Sequence, residues 1–240
     1  MRLGLLSVKG LSVAVQARIV SEREKASFNG MEDFLDRVRP DEDEARGLIH
    51  SGALDRFHPA GHRAALIWRY ASWRKERSRT AAHLSLFSTR KPAAMPDLPE
   101  DPPLLRLRRE FLVLGFLCDR HPMMLFEAQL KEFRRIKAAD LPAHLNRRIQ
   151  VAGWLITGKT VMTHNGDPMK FITFEDETGI IESVFFPKAY RGFCHMLDYG
   201  LPYLISGKVE ANWGVATLTV DFVRLLRPVG EMPSKEFETR

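Results

Sequence analysis

The 240-residue sequence is poor in several features that mark particular classes of protein. It has two cysteines, Cys118 and Cys194, which are far apart and outside any CxxC pattern, so a disulfide framework and a cysteine zinc site are both disfavoured. We expect both thiols to be buried small hydrophobes. The pairs Cys118/His121 and His58/His62 have helical spacing, but no further ligands accompany them and a structural zinc site needs four. The sequence therefore predicts no metal and no cofactor.

Long apolar runs are also missing. No stretch approaches the length of a membrane span, and Met1 to Gly10 lacks the apolar core and cleavage site of a signal peptide. We therefore expect a cytoplasmic protein without a membrane partner.

Positive charge is concentrated in the first third of the chain. The formal net charge is +6, of which residues 1–90 supply +5, residues 91–145 supply +1 and residues 146–240 none. The basic residues are densest in a run opposed only by Glu76: Arg63, Arg69, Arg74, Lys75, Arg77 and Arg79. Such a run is typical of a surface that neutralises phosphates, although a solvated helix face has the same composition.

A predicted β-hairpin organises the C-terminal part. Phe171 to Pro187 contains two apolar runs, rich in Phe, Ile, Val and Thr, divided by an acidic turn. Asp176 and Thr178 can hydrogen-bond the turn backbone, and we expect Gly179 to take a positive φ that returns the chain antiparallel.

Three more strand-like runs surround this hairpin: Ile149 to Ile156, Tyr203 to Val209 and Val215 to Leu226. Helical spacing of apolar residues from Lys188 to Tyr199 predicts a helix between the third and fourth strands. Five strands with a helix in that place predict the small Greek-key barrel called the OB-fold, which binds single strands on the face of strands two and three.

Strand parity suggests which residue would contact nucleic acid on that face. If Ile172 and Phe174 fill the barrel, Phe171 points to the open side, where an exposed ring can stack on a base. Four further residues are predicted to border the same groove, although each is equally compatible with ordinary surface: Lys159, Lys170, Lys208 and Trp213.

The N-terminal part is predicted to be helical. Gly4 to Ser12 leads as a short hairpin into a helix capped by Ser12, with Val13, Ala17 and Val20 on one apolar stripe. Free backbone amides at such a turn, around Lys9, Gly10 and Ser12, bind a phosphate oxygen without recognising bases.

Three more helices are expected to follow, at Phe28 to Arg39, at Glu44 to Leu54 and at Ala60 to Arg77. Gly52 would end the second of these and open the turn to the third, whose arginines, including Arg63 and Arg69, would remain outside. A plain helical bundle with glycine caps has the same local pattern.

The segment from Ser78 to Pro103 is rich in proline and has no helical or strand periodicity of apolar residues, which predicts a linker. It contains an apolar pentapeptide, His83-Leu84-Ser85-Leu86-Phe87, which suggests a docking peptide. Alternatively, Leu84, Leu86 and Phe87 pack back on the preceding helix. Two helices are predicted beyond the linker, at Leu104 to Leu117 and at Met123 to Phe133, and His121 between them is interpreted as a structural residue.

The motifs together resemble the C-terminal region of the alpha subunit of bacterial DNA polymerase III, with the error-prone branch included. In the barrel the resemblance rests on segments beginning at Val151-Ala152-Gly153-Trp154, Met169-Lys170-Phe171, Phe174-Glu175-Asp176, Phe186-Pro187 and Gly207-Lys208-Val209. In the helical part it rests on Leu48 to Asp55 and on the Lys9-Gly10 turn, where Ser12 replaces the glycine usual in the family's helix-hairpin-helix motif. The pentapeptide resembles the family's sliding-clamp-binding motif, with His83 in place of glutamine.

The resemblance implies an α+β multidomain protein without catalysis of its own. Its predicted parts are a helix-hairpin-helix DNA-binding region (1–77), a linker with a clamp-binding peptide (78–103), a helical connector (104–145), an OB-fold domain (146–228) and a tail (229–240). Implied partners are single-stranded template, duplex backbone, a sliding clamp and the remainder of a polymerase complex.

Catalytic carboxylates are not expected in this chain. Asp41 to Glu44 and Glu175 to Glu177 are better interpreted as solvated surface than as a two-metal cluster, and no Walker loop, G-x-S-x-G elbow or HExxH helix occurs. Two alternatives remain open, a free-standing single-strand binding protein and a tRNA-binding OB module. The second is considered because the anticodon-binding domain of aspartyl-tRNA synthetases has a similar sequence in strand two.

Overall fold

The computed structural model describes residues 3–58, 62–82, 96–212 and 214–227 of the chain. It divides into two compact units, Met1–Leu117 and Cys118–Arg240, so the division falls within the segment 104–145 predicted as a connector. Helices form the first unit and a closed five-stranded barrel dominates the second, which confirms the predicted fold class.

The described part of the first unit is helical. Short 3-10 turns occur at Leu5–Ser7 and Asp55–Phe57. The α-helices are α1 (Val13–Lys25), α2 (Met31–Val38), α3 (Glu42–His50), α4 (Arg63–Ala82) and α5 (Pro103–Leu114).

Side-chain caps fix the starts of two of these helices. The hydroxyl of Ser12 accepts a hydrogen bond from the Val15 amide at 3.3 Å, so Ser12 caps α1 as predicted. At α3, Glu44 donates its amide to the Asp41 carboxylate at 2.8 Å, and Asp41 donates its amide to the Glu44 carboxylate at 3.0 Å. This reciprocal capping box satisfies two amides that a helix start leaves free.

The core of the first unit uses a different face of α1 from the one predicted. Val15 and Ile19 are buried in the cluster formed with α2 and α3, whereas Val13 is 77% exposed and Ala17 and Val20 also face outward. The predicted stripe of Val13, Ala17 and Val20 is therefore wrong. Both stripes have helical spacing, and packing against α2 and α3 selected the one with the larger isoleucine side chain.

Helix α4 is longer than the prediction. It begins at Arg63 and continues to Ala82, five residues beyond the expected end at Arg77, so the start of the predicted linker is helical. Residues 78–82 contain neither proline nor glycine, and their alanines and arginine favour a helix. The predicted inward side chains are buried or half-buried: Leu66, Ile67, Tyr70 and Trp73.

The second unit begins with short helices and continues into the barrel. A 3-10 helix at Pro122–Phe126 leads to α6 (Glu127–Leu130), and another 3-10 helix spans Ala138–His144. The barrel contains β1 (Arg148–Met162), β2 (Pro168–Asp176), β3 (Gly179–Phe185), β4 (Pro202–Asn212) and β5 (Val215–Leu225), with α7 (Pro187–Phe193) between β3 and β4.

The strands close in the order β1-β2-β3-β5-β4. β1 pairs antiparallel with both β2 and β4, and β3 pairs in parallel with β5, which is the topology expected of an OB-fold. The barrel interior is apolar, and its largest fully buried side chains include Ile172, Phe174, Phe185 and Tyr203.

The β2–β3 turn is closed by the carboxylate of Asp176. One of its oxygens accepts hydrogen bonds from the Thr178 amide at 2.7 Å and the Gly179 amide at 3.1 Å, and the other accepts from the Ala138 amide at 2.9 Å. The role predicted for Asp176 is confirmed. The Thr178 hydroxyl instead donates to the Asp176 carboxylate at 2.6 Å and accepts from the Ala139 amide at 3.1 Å, and the positive φ predicted for Gly179 is wrong. Because the carboxylate gathers both amides, the turn closes without a left-handed residue.

Two helix predictions in this unit are too long. In place of a continuous helix from Met123 to Phe133, the segment forms a 3-10 helix and the single turn α6. The chain must become extended before Ile136, because the Ile136 amide donates to the Gln150 carbonyl of β1 at 2.8 Å. Similarly, α7 ends at Phe193 and a 3-10 turn follows at Cys194–Met196.

The cysteine prediction is also wrong in part, because Cys118 is exposed in a bend and Cys194 is only half-buried. Within the described ranges, no helix has the length and apolar character needed to cross a membrane.

Candidate nucleic-acid interface

Phe171 lies on the outer face of the barrel, as its strand parity predicts. Its side chain is 44% exposed, whereas Ile172 and Phe174, which follow it and have the opposite strand parity, are fully buried. Lys159 of β1 lies directly opposite Phe171. Residues opposite one another in an antiparallel pair share a face, so a cation stands beside the exposed ring.

Opposite Phe171 on β3 lies the apolar Val184, and the next pair along this face, Thr173 and Glu182, is polar and includes an acid. Thr173 donates its hydroxyl to the Glu182 carboxylate of β3 at 3.2 Å, and Glu182 is exposed. A carboxylate there disfavours a phosphate at the same point, whereas an aromatic ring can stack on any base. The β2–β3 face is therefore better suited to bases than to a continuous run of phosphates.

The structure does not bring all the predicted groove residues to Phe171. Lys170 has the opposite strand parity, and its ammonium lies 5.9 Å from the ring of Tyr199. Lys208 lies opposite Arg148 at the start of β1 and forms an ion pair with Glu210 at 3.3 Å. Lys159 is thus the predicted lysine that shares the face of Phe171, and Trp213 lies outside the described residues.

The turn before α1 is open at Gly10. Gly10 has φ +77°, and no atom lies within 4 Å of the position that a Cβ would take there. Lys9 is exposed, and its amide donates to the Val113 carbonyl at 3.0 Å. A ligand can approach this backbone closely, as the phosphate-binding prediction requires.

A buried carboxylate restricts that same site. The Ser12 amide donates to Glu44 at 3.2 Å. Burial raises the pKa of Glu44, but the hydrogen bonds from Ser12 and from the Asp41 amide outweigh this effect, so the pKa lies below its ordinary value and Glu44 is ionised at neutral pH. The amides at Val13 and Ala14, which helix geometry leaves without an intrahelical acceptor, are the ones left to meet a phosphate.

Gly52 has a structural role. It ends α3 in a Schellman motif, in which the Gly52 amide donates to the Ile49 carbonyl at 3.1 Å and the Ala53 amide to the Leu48 carbonyl at 3.2 Å. Its φ is +82°, and a Cβ there would lie 2.5 Å from the Arg63 guanidinium. Glycine is therefore required both for the turn and for the approach of Arg63.

Arg63 is not the outward cation that was predicted. It is 6% exposed and donates to both oxygens of Asp55 at 3.0 Å and to the His50 carbonyl at 2.6 Å. A bidentate, nearly buried pair of this kind locks the α3–α4 turn. Arg63 therefore does not present a charge to a phosphate.

The other cations of α4 are partly neutralised. Arg74 pairs with Glu42, and Arg69 lies 3.9 Å from Glu32. The expectation that Glu76 alone opposes this run is therefore wrong, because folding brings acids from α2 and α3 to it. Arg77 stacks on the Trp73 ring at 5.4 Å, and Lys75 is exposed.

The predicted clamp-binding residues lie outside the described residues: His83, Leu84, Leu86 and Phe87. His121 accepts the Met123 amide at 3.2 Å and caps the following 3-10 helix, which fits its predicted structural role. Within the described ranges, no three His, Cys, Asp or Glu side chains gather as a metal site would require.

Each of the two units contains a segment that matches a known protein family. Residues 1–66 match the helix-hairpin-helix motif family, and residues 149–226 match the OB-fold nucleic acid binding domain family. The error-prone DNA polymerase of Symbiobacterium thermophilum is 25% identical over 256 residues, covering 94% of this chain and 23% of that protein. The DNA polymerase III subunit alpha of Pseudomonas fluorescens is 28% identical over 240 residues, covering 86% of this chain and 20% of that protein.

This chain is homologous to part of a DNA polymerase III alpha subunit. The predicted resemblance is confirmed, and the chain spans about a fifth of the length of these two relatives. Among solved structures, a domain of replication protein A from Methanococcus maripaludis matches with a TM-score of 0.32 and 19% identity, covering 38% of this chain and 94% of that one. That likeness is too weak to support an argument about function.

Sequence reasoning missed the residues whose partners are distant in the chain. Glu44 accepts a hydrogen bond from the Ser12 amide, and Asp55 accepts hydrogen bonds from Arg63. No sequence pattern next to either residue predicts these contacts. It also missed a basic pocket beside β1, for which the adjacent pair Arg147-Arg148 at the start of a strand was an available clue.

Proposed function

We propose that this chain is the noncatalytic DNA-binding portion of a DNA polymerase III alpha-type subunit, in which the OB-fold domain holds single-stranded template during replication or repair synthesis. The observation that carries this proposal is the exposed ring of Phe171 beside Lys159 on the outer face of the β1–β2 pair. Stacking of a base on an exposed aromatic residue contributes about 1–3 kcal/mol.

The helical unit is proposed to contact the DNA backbone. Open backbone at Gly10 and the free amides at the start of α1 suit a single phosphate oxygen, and exposed Lys9 and Lys75 add positive charge. Because Glu44 occupies the Ser12 amide, this contact is proposed to centre on Val13 and Ala14.

The chain alone is proposed not to polymerise nucleotides, since polymerisation requires clustered acids that hold two metal ions. A primer-extension assay with magnesium and all four nucleotides tests this. Template-dependent extension by a homogeneous preparation would refute it.

The pentapeptide His83 to Phe87 is proposed to dock on a sliding clamp. Calorimetry with purified clamp should show that replacing Leu86 and Phe87 together by alanine abolishes binding while DNA affinity is retained. Unchanged clamp affinity in that variant would contradict the proposal.

The choice of nucleic acid is tested by fluorescence anisotropy. The intact chain is titrated with single-stranded DNA, with primer-template duplex and with tRNA at several matched salt concentrations, because the phosphate contribution to each affinity depends on salt. The proposal expects the primer-template with a single-stranded overhang to bind most tightly. Preference for tRNA would favour the tRNA-binding alternative, and indifference to the duplex would favour a free-standing single-strand binder.

A further inference from the structure

A basic pocket lies on the barrel away from the face of Phe171. It has a volume of about 470 Å³ and lies between the segment 134–147 and the start of β1 with its β4 neighbour. Its polar lining consists of Arg134, His144, Arg147, Arg148, Gln150 and Ser206, and none of its lining residues is acidic. Pockets of this size and polarity can bind a small charged group.

Two of its cations are available to a ligand. Arg148 pairs with Asp221 on the surface. In contrast, no carboxylate of the described residues lies within ion-pair distance of Arg134 or Arg147, and both side chains are exposed. Two guanidinium groups without acidic partners beside one cavity create a positive potential that favours an anion.

Backbone hydrogen bonds hold the walls of the pocket. On one side the Ile136 amide donates to the Gln150 carbonyl at 2.8 Å. On the other, the Asn146 amide donates to the Val209 carbonyl at 2.8 Å and the Val209 amide to the Arg147 carbonyl at 3.0 Å. The backbone carrying both free arginines is therefore fixed to β1 and β4, which reduces the ordering cost of binding.

The floor supplies a hydrogen-bond donor. Gln150 donates its side-chain amide to the Ser206 hydroxyl oxygen at 3.2 Å. Because that oxygen is already an acceptor, the Ser206 hydroxyl hydrogen is free to point toward a ligand oxygen. Arginine side chains and a hydroxyl donor in one lining suit a phosphate, which offers several acceptor oxygens.

We propose that this pocket, named the β1–β4 pocket, binds a backbone phosphate of a nucleic acid strand outside the β2–β3 face. Residues 148–150 of β1 pair with β4, whereas Lys159 pairs with Phe171 of β2, so the pocket and the stacking site use different parts of β1. The inference rests on the proposed nucleic-acid function and adds a phosphate-binding site to it.

The test compares the intact chain with the double variant Arg134→Gln/Arg147→Gln. Anisotropy titrations with a long single-stranded oligonucleotide are made across a salt series. Loss of one phosphate contact should reduce the slope of log affinity against log salt by about 0.7 and weaken binding about 5-fold near 0.1 M salt. The control Arg120→Gln/Lys188→Gln removes two exposed cations of the same unit, and equal melting temperatures confirm that all variants fold.

Two further arms separate the explanations. Phe171→Ala should weaken binding without changing the salt slope. The stacking proposal and the pocket proposal are therefore tested by different measurements. Calorimetry with inorganic phosphate on wild type and the double variant detects a free-anion site. The proposal is overturned if the double variant and the control pair have the same slope, or if phosphate binds at the two arginines while the oligonucleotide slope is unchanged.

Discussion

Arg63 donates hydrogen bonds to both carboxylate oxygens of Asp55, each at 3.0 Å, across the turn that joins α3 to α4. This pair converts the first cation of a basic sequence run into a structural residue. The arginine is nearly buried, and its guanidinium also donates to the His50 carbonyl.

Replacement of Arg63 by methionine should therefore destabilise the helical unit without a specific loss of DNA affinity. Loss of the hydrogen bonds from Arg63 to the Asp55 carboxylate should cost about 1.5–3 kcal/mol, because Arg106 still pairs with that carboxylate at 2.8 Å and compensates part of its charge. Urea unfolding measures the loss. Lys75→Met, at an exposed position of the same helix, is the control and should change stability by less than about 0.5 kcal/mol.

Two of the left-handed glycines of this unit, Gly10 and Gly52, offer a matched comparison. Alanine at either Gly10 or Gly52 costs about 1–2 kcal/mol, because both have positive φ. At Gly52 the new Cβ also displaces the Arg63 guanidinium, which should add about 1.5–3 kcal/mol by disturbing a charged hydrogen bond. Equal losses of unfolding free energy in the two variants would contradict this account of Gly52.

His50 should make the stability of the helical unit depend on pH. Burial, reinforced by the charges of Arg109 and Arg63, lowers the pKa of His50 to about 4, against an ordinary value near 6.5. Between these values the unfolded chain binds more protons, so the stability is complete above about pH 6.5 and falls as the pH is lowered. The loss between about pH 7 and about pH 5 is about 2 kcal/mol. Urea titrations at both pH values should show this loss in wild type, and a smaller one in His50→Gln.

Asp176 should be the most sensitive residue of the β2–β3 turn. Asp176→Ala leaves the amides of Ala138, Thr178 and Gly179 without their acceptor, at about 1–3 kcal/mol for each amide that stays buried. Thermal unfolding of the barrel measures the effect. The control is Glu177→Ala in the same turn. It removes the ion pair between Glu177 and Lys137 and should cost at most about 1 kcal/mol.

Features with a short-range cause were predictable from the sequence. The parity of Phe171 and Phe174 follows from the two-residue period of a strand, and the cap at Ser12 follows from the residue type before an apolar run. Features with a long-range cause were not. The buried face of α1 depends on α2 and α3, and the neutralisation of α4 depends on acids more than twenty residues away. Local spacing does not determine which helix face or which acid is nearest after folding.

The two phenylalanines of β2 should respond differently to truncation. Phe174→Ala removes a fully buried ring that lies 6.1 Å from the ring of Tyr203, and should destabilise the barrel by about 3–5 kcal/mol. Phe171→Ala removes an exposed ring and should leave the melting temperature nearly unchanged. Thermal melts of both variants test the assignment of faces, which a similar loss in both would contradict.

The affinity of Phe171→Ala for single-stranded DNA tests the central claim most directly. The control is Phe222→Ala, because Phe222 is 45% exposed on β5 and matches the 44% exposure of Phe171 without lying on the β2–β3 face. Measured by anisotropy at fixed salt, binding by Phe171→Ala should be weaker by about 1–3 kcal/mol, while Phe222→Ala binds like wild type. Wild-type affinity in Phe171→Ala would contradict the proposal that this face holds the strand.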